Sequence, residues 1–357
     1  MRGIKLPWIL VVSKILALQF LQLSAAGFDL DSFDLINQHV SYSLYDSRIF
    51  NITTDIRSYN QRLHFILERN DDLIAHDISI RHLSSDGNEK EDLESFHRAL
   101  QFARGSVRMG RTPQTSEEVG WARLELIWDV ANPSFRGTFT IMKDQYTVEP
   151  KITNNGSTMM ISSKRPAHSL DNRCKTSPEY LSHKRQSSNQ WDNSNLIANI
   201  GSTNGCPSTR RIAYIGIVTD CTFTTSFDST DSTHRYILNM VNTASVVFES
   251  SFNISLGIRN LTISDTECPT SGSRINAWNA PCSQGNLNTR LQTFSQWRSS
   301  LDDRNAYWTL LSGCSVSVGE IGVSWVGALC NSGGGYNNGG SSANVVARTQ
   351  TQWQVFA

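Results

Sequence analysis

The chain has 357 residues, with 32 Lys and Arg against 32 Asp and Glu and a formal net charge of zero. That balance offers no basic surface for nucleic acid or for an anionic membrane. The length allows two domains, each large enough to bury its own core.

Residues 1–26 read as a secretory signal peptide. Arg2 and Lys5 give a basic start, Trp8 to Leu23 is largely apolar, and Ser24-Ala25-Ala26 offers small residues for cleavage. A membrane anchor is the alternative, but Lys14 interrupts the run and leaves it short of the roughly 20 apolar residues that spanning requires. No later stretch reaches that length, so the expected product is secreted and extracellular, with no transmembrane segment. Seven Cys in a secreted chain imply disulfides and one thiol left over. Asn-x-Ser/Thr sequons at Asn51, Asn155, Asn253 and Asn260 fit that compartment as N-glycosylation sites.

From Gly27 to about Pro150 the pattern is strands separated by polar turns. Leu63 to Asn70 is one strand, and Trp121 to Trp128 alternates apolar and polar positions. Phe135 to Ile141 and Tyr146 to Pro150 predict a hairpin with Lys143-Asp144 at its turn. Lys151 to Gly205 is rich in Ser, Asn, Lys and Arg and reads as an exposed, flexible linker. Lys184-Arg185, inside it, is a dibasic pair of the kind that kexin-like or furin-like proteases cut. Arg210-Arg211 is a second pair, directly before the next strand.

Arg211 to Asp220 is a strand, and His234 to Phe252 is a helix whose apolar stripe (Ile237, Val241, Ala244, Phe248) belongs to core packing. Ile254 to Ile263 is the next strand. Cys268 and Cys282 bracket a loop that could close on itself, and Gly285 to Ser300 is a second helix. Tyr307 to Cys314 and Gly319 to Leu329 follow as strands. A Gly/Asn/Ser loop from Asn331 to Ser342 comes next; it lacks the Lys of a phosphate-binding loop and is a connector. In the final run Val346, Thr349, Trp353 and Phe356 recur near helical spacing, with Ser341 or Ser342 placed to cap a helix that runs to Ala357. Strand, helix, strand, helix, strand is the order of an open α/β sheet.

The last stretch, Val345-Val346-Ala347-Arg348-Thr349 through Trp353 and Phe356-Ala357, lies behind a Gly-rich strand ending in Cys330. It resembles the catalytic domain of the ADAM or reprolysin-type (M12B, metzincin) zinc metalloproteases, especially fungal ADAM-like members. The hairpin pattern Gly137-x-Phe139-x-Ile141, then Tyr146-x-Val148-Glu149-Pro150, is similar to the propeptide that precedes such domains. The resemblance implies a zymogen whose final helix leads into His-Glu-x-x-His-x-x-Gly-x-x-His, with zinc held by the His and water activated by the Glu. That motif is absent from these 357 residues, and seven of the eight His (39, 64, 76, 82, 97, 168, 183) precede the protease region.

The expected division is therefore a signal peptide over 1–26, a mainly β prodomain with a flexible C-terminal linker over 27–185, and the N-terminal part of the protease domain over 186–357. The last would be an incomplete metzincin-like α/β domain with a mixed, mostly parallel sheet. Protein substrates and a processing protease are the partners implied, and zinc is the cofactor of the full-length family member. The chain is read as truncated before its zinc site, with no catalytic or metal residue of its own, and as inactive. The alternative is a secreted short form whose prodomain inhibits an intact relative. Two further roles come with the resemblance: Cys174 as a thiolate switch on the zinc, and Gly322-Val323-Ser324-Trp325-Val326 as the strand that pairs with an extended substrate. Cys206, Cys221, Cys268, Cys282, Cys314 and Cys330, all beyond Lys184-Arg185, form an even set of disulfide candidates.

Overall fold

The computed structural model describes residues 32–42, 48–57, 61–91, 101–127, 134–152, 158–164, 205–269, 276–314, 321–325, 328–331 and 341–349. Among the described residues ten strands precede residue 165 and five follow residue 210, with three α-helices in the second half. Eight of the first ten strands close a barrel. These are β1 (Ser32–Tyr42), β2 (Ile49–Ile56), β3 (Arg62–Arg69), β6 (Gln101–Met109), β7 (Glu117–Ile127), β8 (Ser134–Ile141), β9 (Asp144–Ile152) and β10 (Thr158–Lys164). Their order round the wall is β1-β10-β9-β8-β7-β6-β3-β2, antiparallel throughout.

Alternation explains the closure. In β2 every second residue is buried, and the inward positions of all eight strands meet in one apolar core. Phe33, Phe65, Phe139 and Tyr146 fill its centre, with Phe65 edge-on to Phe139 at 5.3 Å and Phe139 stacked on Tyr146 at 5.5 Å. The β8–β9 hairpin turns at Met142-Lys143, one residue earlier than the sequence suggests. Asp144 is already paired with Ile141, and Met142 takes the left-handed φ of 56° that the tight turn requires.

The second half builds a seven-stranded sheet in the order β14-β15-β13-β11-β12-β4-β5. Its strands are β11 (Arg211–Thr219), β12 (Ile254–Ser264), β13 (Trp308–Ser312), β14 (Gly322–Ser324) and β15 (Ala343–Ala347), joined by β4 (Ile74–Leu83) and β5 (Glu89–Glu91). Four of its six pairings are parallel, so the sheet is mixed and mostly parallel. Helix α1 (Cys221–Thr224) follows β11, α2 (Thr230–Phe252) leads to β12, and α3 (Leu287–Ser299) leads to β13.

Helix α2 starts four residues before the sequence expectation. Ser229 and Ser232 form a reciprocal capping box, Asp231 sits in the first turn, and Asn253 ends the helix in the left-handed region. Its stripe (Ile237, Val241, Ala244) packs on Ile215, Ile217, Leu256 and Ile258 on one face of the sheet. The other face carries Val218, Leu310 and Val345 against Leu287, Leu291 and Phe294 of α3. Each such side chain contributes about 1.5–3 kcal/mol on full burial.

Two expectations are corrected here. Ala343 to Ala347 is a strand parallel to β13, not the start of a helix, because its β-branched Val345 and Val346 are covered on opposite faces. Ser341 caps nothing there; its hydroxyl donates to the Ser295 carbonyl at 3.2 Å. The strand expected over Gly319 to Leu329 spans only Gly322–Ser324 among the described residues.

The N-terminal half contributes more than a separate domain. Its β4–β5 hairpin adds to the outer side of β12. The barrel wall lies against α2 through buried polar contacts: Arg123 Nη2 donates to Glu249 Oε2 at 2.6 Å, and Arg235 Nη1 to Glu125 Oε1 at 2.7 Å. Asn70 Nδ2 donates to Asn242 Oδ1 at 2.8 Å.

Candidate functional site

The strand at the far end of this sheet, β14, pairs on one side only among the described residues. Gly322, Val323 and Ser324 lie opposite Val346, Val345 and Asn344 of β15. A strand with one open side presents backbone donors and acceptors that an extended peptide can use. The strand is held from behind. Val323 rests on the core under α3, and Trp325 Nε1 donates to Ser295 Oγ at 2.5 Å, while Ile321 O accepts from Ala347 N at 2.9 Å. Val326 lies outside the described residues.

An aromatic layer stiffens that support. Phe294 stacks on Trp297 at 5.2 Å, and Trp297 stands edge-on to Trp308 at 5.0 Å. Trp308 Nε1 donates to Asp303 at 2.9 Å, and its ring lies over Gly216, where a Cβ would meet it at 2.2 Å. Gly216 is therefore required by a close approach rather than by its backbone angles.

At the C-terminal ends of β11 and β13 lies a buried ion pair. Asp220 caps α1: its Oδ1 accepts from Phe223 N at 2.8 Å, Thr222 Oγ1 at 2.6 Å and Gly313 N at 3.3 Å. Arg290, on α3, donates from Nη1 to Asp220 Oδ2 at 3.1 Å and to Trp278 O at 2.8 Å. Its Nη2 donates to Ala280 O at 2.7 Å and Pro281 O at 3.1 Å. Burial pushes the Arg290 pKa below the ordinary arginine value, and the Asp220 charge opposes the shift. Nearby, Arg348 sits over the rings of Phe227 at 5.0 Å and Tyr236 at 5.9 Å, just past the end of β15.

Two disulfides flank the pair. Cys221 bonds Cys268 and Cys282 bonds Cys314, so the local Cys268–Cys282 closure suggested by the sequence does not form. Parallel strands explain why. β11 and β12 are neighbours, and the cysteines just beyond their C-terminal ends leave the sheet side by side. Cys206 is half-buried and Cys330 exposed, both as free thiols, so the even set of six does not pair fully.

The remaining predicted positions scatter. Cys174, Lys184, Arg185 and Asn155 lie outside the described residues. Asn51 is half-buried on β2. Asn253 Nδ2 donates to Pro207 O at 2.9 Å, and Asn260, inside β12, accepts from Asn305 at 2.7 Å. Arg211 is the first residue of β11, and Arg210 lies 3.7 Å from Glu249. A cut between Arg211 and Ile212 would fall in a strand that is paired with β12 at both residues, whereas Lys184-Arg185 lies outside the described residues. Sequence reasoning missed the Asp220–Arg290 pair. The signal available was an arginine on the apolar stripe of α3, between Leu287 and Leu291.

Residues 208–357 match the sequence pattern of a reprolysin-type family described as metallo-peptidase family M12. These residues belong to that family. The M12 region begins just ahead of β11 and takes in β14, β15 and both disulfides. Over most of its length the chain is similar to a protein named disintegrin and metalloproteinase domain-containing protein B in two fungi. It is 34% identical to that of Aspergillus fumigatus, over 86% of this chain and 48% of the relative. It is 30% identical to that of Arthroderma otae, over 89% of this chain and 48% of the relative. The chain thus spans about half the length of the curated relatives it matches. Among solved structures, metalloproteinase-II from Bacteroides fragilis shares 10% identity at a TM-score of 0.31, over 80% of this chain and 72% of its own; that likeness is too distant to argue from.

Proposed function

We propose that this chain is the prodomain and substrate-binding half of a secreted, reprolysin-type zinc endopeptidase made as a zymogen. The observation that carries the reading is the open edge of β14, anchored through Trp325 and Ser295 within residues of the M12 family. An extended segment of a protein substrate pairs with the backbone of Gly322–Ser324, while α3 and its aromatic layer keep that edge straight. The Asp220–Arg290 pair and the two disulfides fix the ends of β11 and β13 beside it. No helix of the described residues is long and apolar enough to cross a membrane.

Zinc would supply the family's chemistry, polarising the scissile carbonyl and activating water. Among the described residues no group of three or more His, Cys, Asp or Glu can hold a metal, and the sequence contains no His-Glu-x-x-His. No step is therefore assigned to zinc here, and the 357 residues alone are proposed to be inactive. The barrel is the prodomain, Lys184-Arg185 its processing site, and Cys174 a candidate thiolate for latency.

The test compares two secreted proteins: the product of the natural transcript and the 357-residue chain expressed alone. The proposal expects casein cleavage that phenanthroline abolishes from the first, appearing with a new N-terminus after Arg185, and none from the second. Processed natural product that cleaves nothing, or whose activity ignores the chelator, would refute it.

A further inference from the structure

The sheet of the M12 region ends on strands that residues 208–357 do not supply. Ser79 to Leu83 of β4 lie opposite Asn260 to Ser264 of β12, and the ladder is closed at both ends: Ile258 N donates to Leu73 O and Asp265 N to Leu83 O, each at 2.8 Å. The fit is built from both sides. A Cβ at Gly257 would meet the Asp72 carbonyl oxygen at 2.5 Å, so the M12 region keeps a glycine where the N-terminal chain crosses it. Leu73, Ile78, Ile80 and Phe102 share one core with α2 and β12.

Around that core the contacts are polar and buried. Glu249, 7% exposed, takes Arg123 at 2.6 Å, and Glu125, 1% exposed, takes Arg235 at 2.7 Å and Asn239 at 3.0 Å. The buried Asn70–Asn242 hydrogen bond spans the same seam. Removing the barrel would take Arg123 from Glu249 and Glu125 from Arg235, and strip the outer side of β12. None of these contacts involves the linker between residues 164 and 205.

We propose that the N-terminal half stays seated after the linker is cut, so that processing yields a two-chain protein in which residues 70–91 remain the outer strands of the M12 sheet. The seat is the β12 edge with the polar side of α2, at the opposite end of the sheet from β14. Its occupant is this chain's own N-terminal fragment, and an extended ligand on β14 does not compete for that edge. The natural cut rests on the zymogen reading; an engineered cut does not, so the two can fail separately.

The experiment replaces residues 182–185 of the full chain with a site-specific protease sequence, cuts it, and follows the pieces by size-exclusion chromatography and native mass spectrometry. The expected result is a one-to-one complex that separates only in denaturant. In Gly257→Val the cut pieces come apart in native buffer. If that variant fails to fold uncut, Asn70→Ala carries the same comparison, with release at least tenfold faster than wild type. Separation of cut wild type in native buffer overturns the proposal. So does retention in both variants as tight as in wild type.

Discussion

Replacing Arg290 by Met keeps the length of the side chain and removes the charge. Asp220 is then buried, 0% exposed, without a cation, and the carbonyls of Trp278, Ala280 and Pro281 lose their donor. Breaking a buried ion pair by deleting one partner costs roughly 3–5 kcal/mol. Asp220 retains Phe223 N, Thr222 Oγ1 and Gly313 N, which places the expected loss at the lower end, about 3 kcal/mol. Against a typical stability of about 5–15 kcal/mol that is a large fraction. Urea unfolding, read by tryptophan fluorescence, measures it. The double variant Asp220→Asn with Arg290→Met removes both charges and should recover about half of the loss, so that it is less destabilised than the sum of the two single variants. Arg290→Lys should not rescue, since one ammonium cannot reach four oxygens in the guanidinium's fork geometry. A loss below about 1 kcal/mol in Arg290→Met, or zero coupling in the cycle, would refute the role of this pair in fixing the ends of β11 and β13.

Three other outcomes follow from the packing. Gly216→Ala drives a methyl into the Trp308 ring, which Asp303 and Trp297 hold in place, and should cost about 1–3 kcal/mol with a shift in tryptophan emission. Cys282→Ser with Cys314→Ser opens a loop of sequence separation 32 and should cost about 3–4 kcal/mol in urea unfolding under oxidising conditions. His64 is buried in the barrel wall, its Nε2 donating to Gly110 O at 3.1 Å. Burial, joined by the charges of Arg62 and Arg108, lowers its pKa against the Gly110 carbonyl. The folded state thus favours neutral imidazole, and as pH falls below about 6.5 the unfolded chain takes up the proton first. Stability should fall by at most about 1.4 kcal/mol per pH unit in that window, and His64→Gln should lose this part of the slope in urea midpoints at pH 7.5 and 5.5.

The elements that could be read from sequence are those whose pattern is decided locally. β11 is a continuous apolar run, β12 alternates apolar and polar residues, and the stripe of α2 is regular enough to name its core residues in advance. Failures occur where distant packing decides. β15 shows apolar residues near helical spacing, yet a five-residue run cannot choose between helix and strand until β13 and α3 cover its two faces. β4, with His76, Asp77, Arg81 and His82 among its apolar residues, reads as surface; it becomes a strand because β12 offers it an edge. Disulfide partners depend on which strands lie side by side, which spacing does not reveal. At the candidate site the position of β14 was legible, while the anchor at Ser295 and the Asp220–Arg290 pair depend on where α3 packs.

Whether these residues are the substrate-binding half of a zinc endopeptidase is decided by reading the natural transcript through the codon for Ala357. An open frame that continues into His-Glu-x-x-His-x-x-Gly-x-x-His is expected, which would place the metal ligands after the edge that β14 and β15 form. A stop codon directly after Ala357 would contradict it.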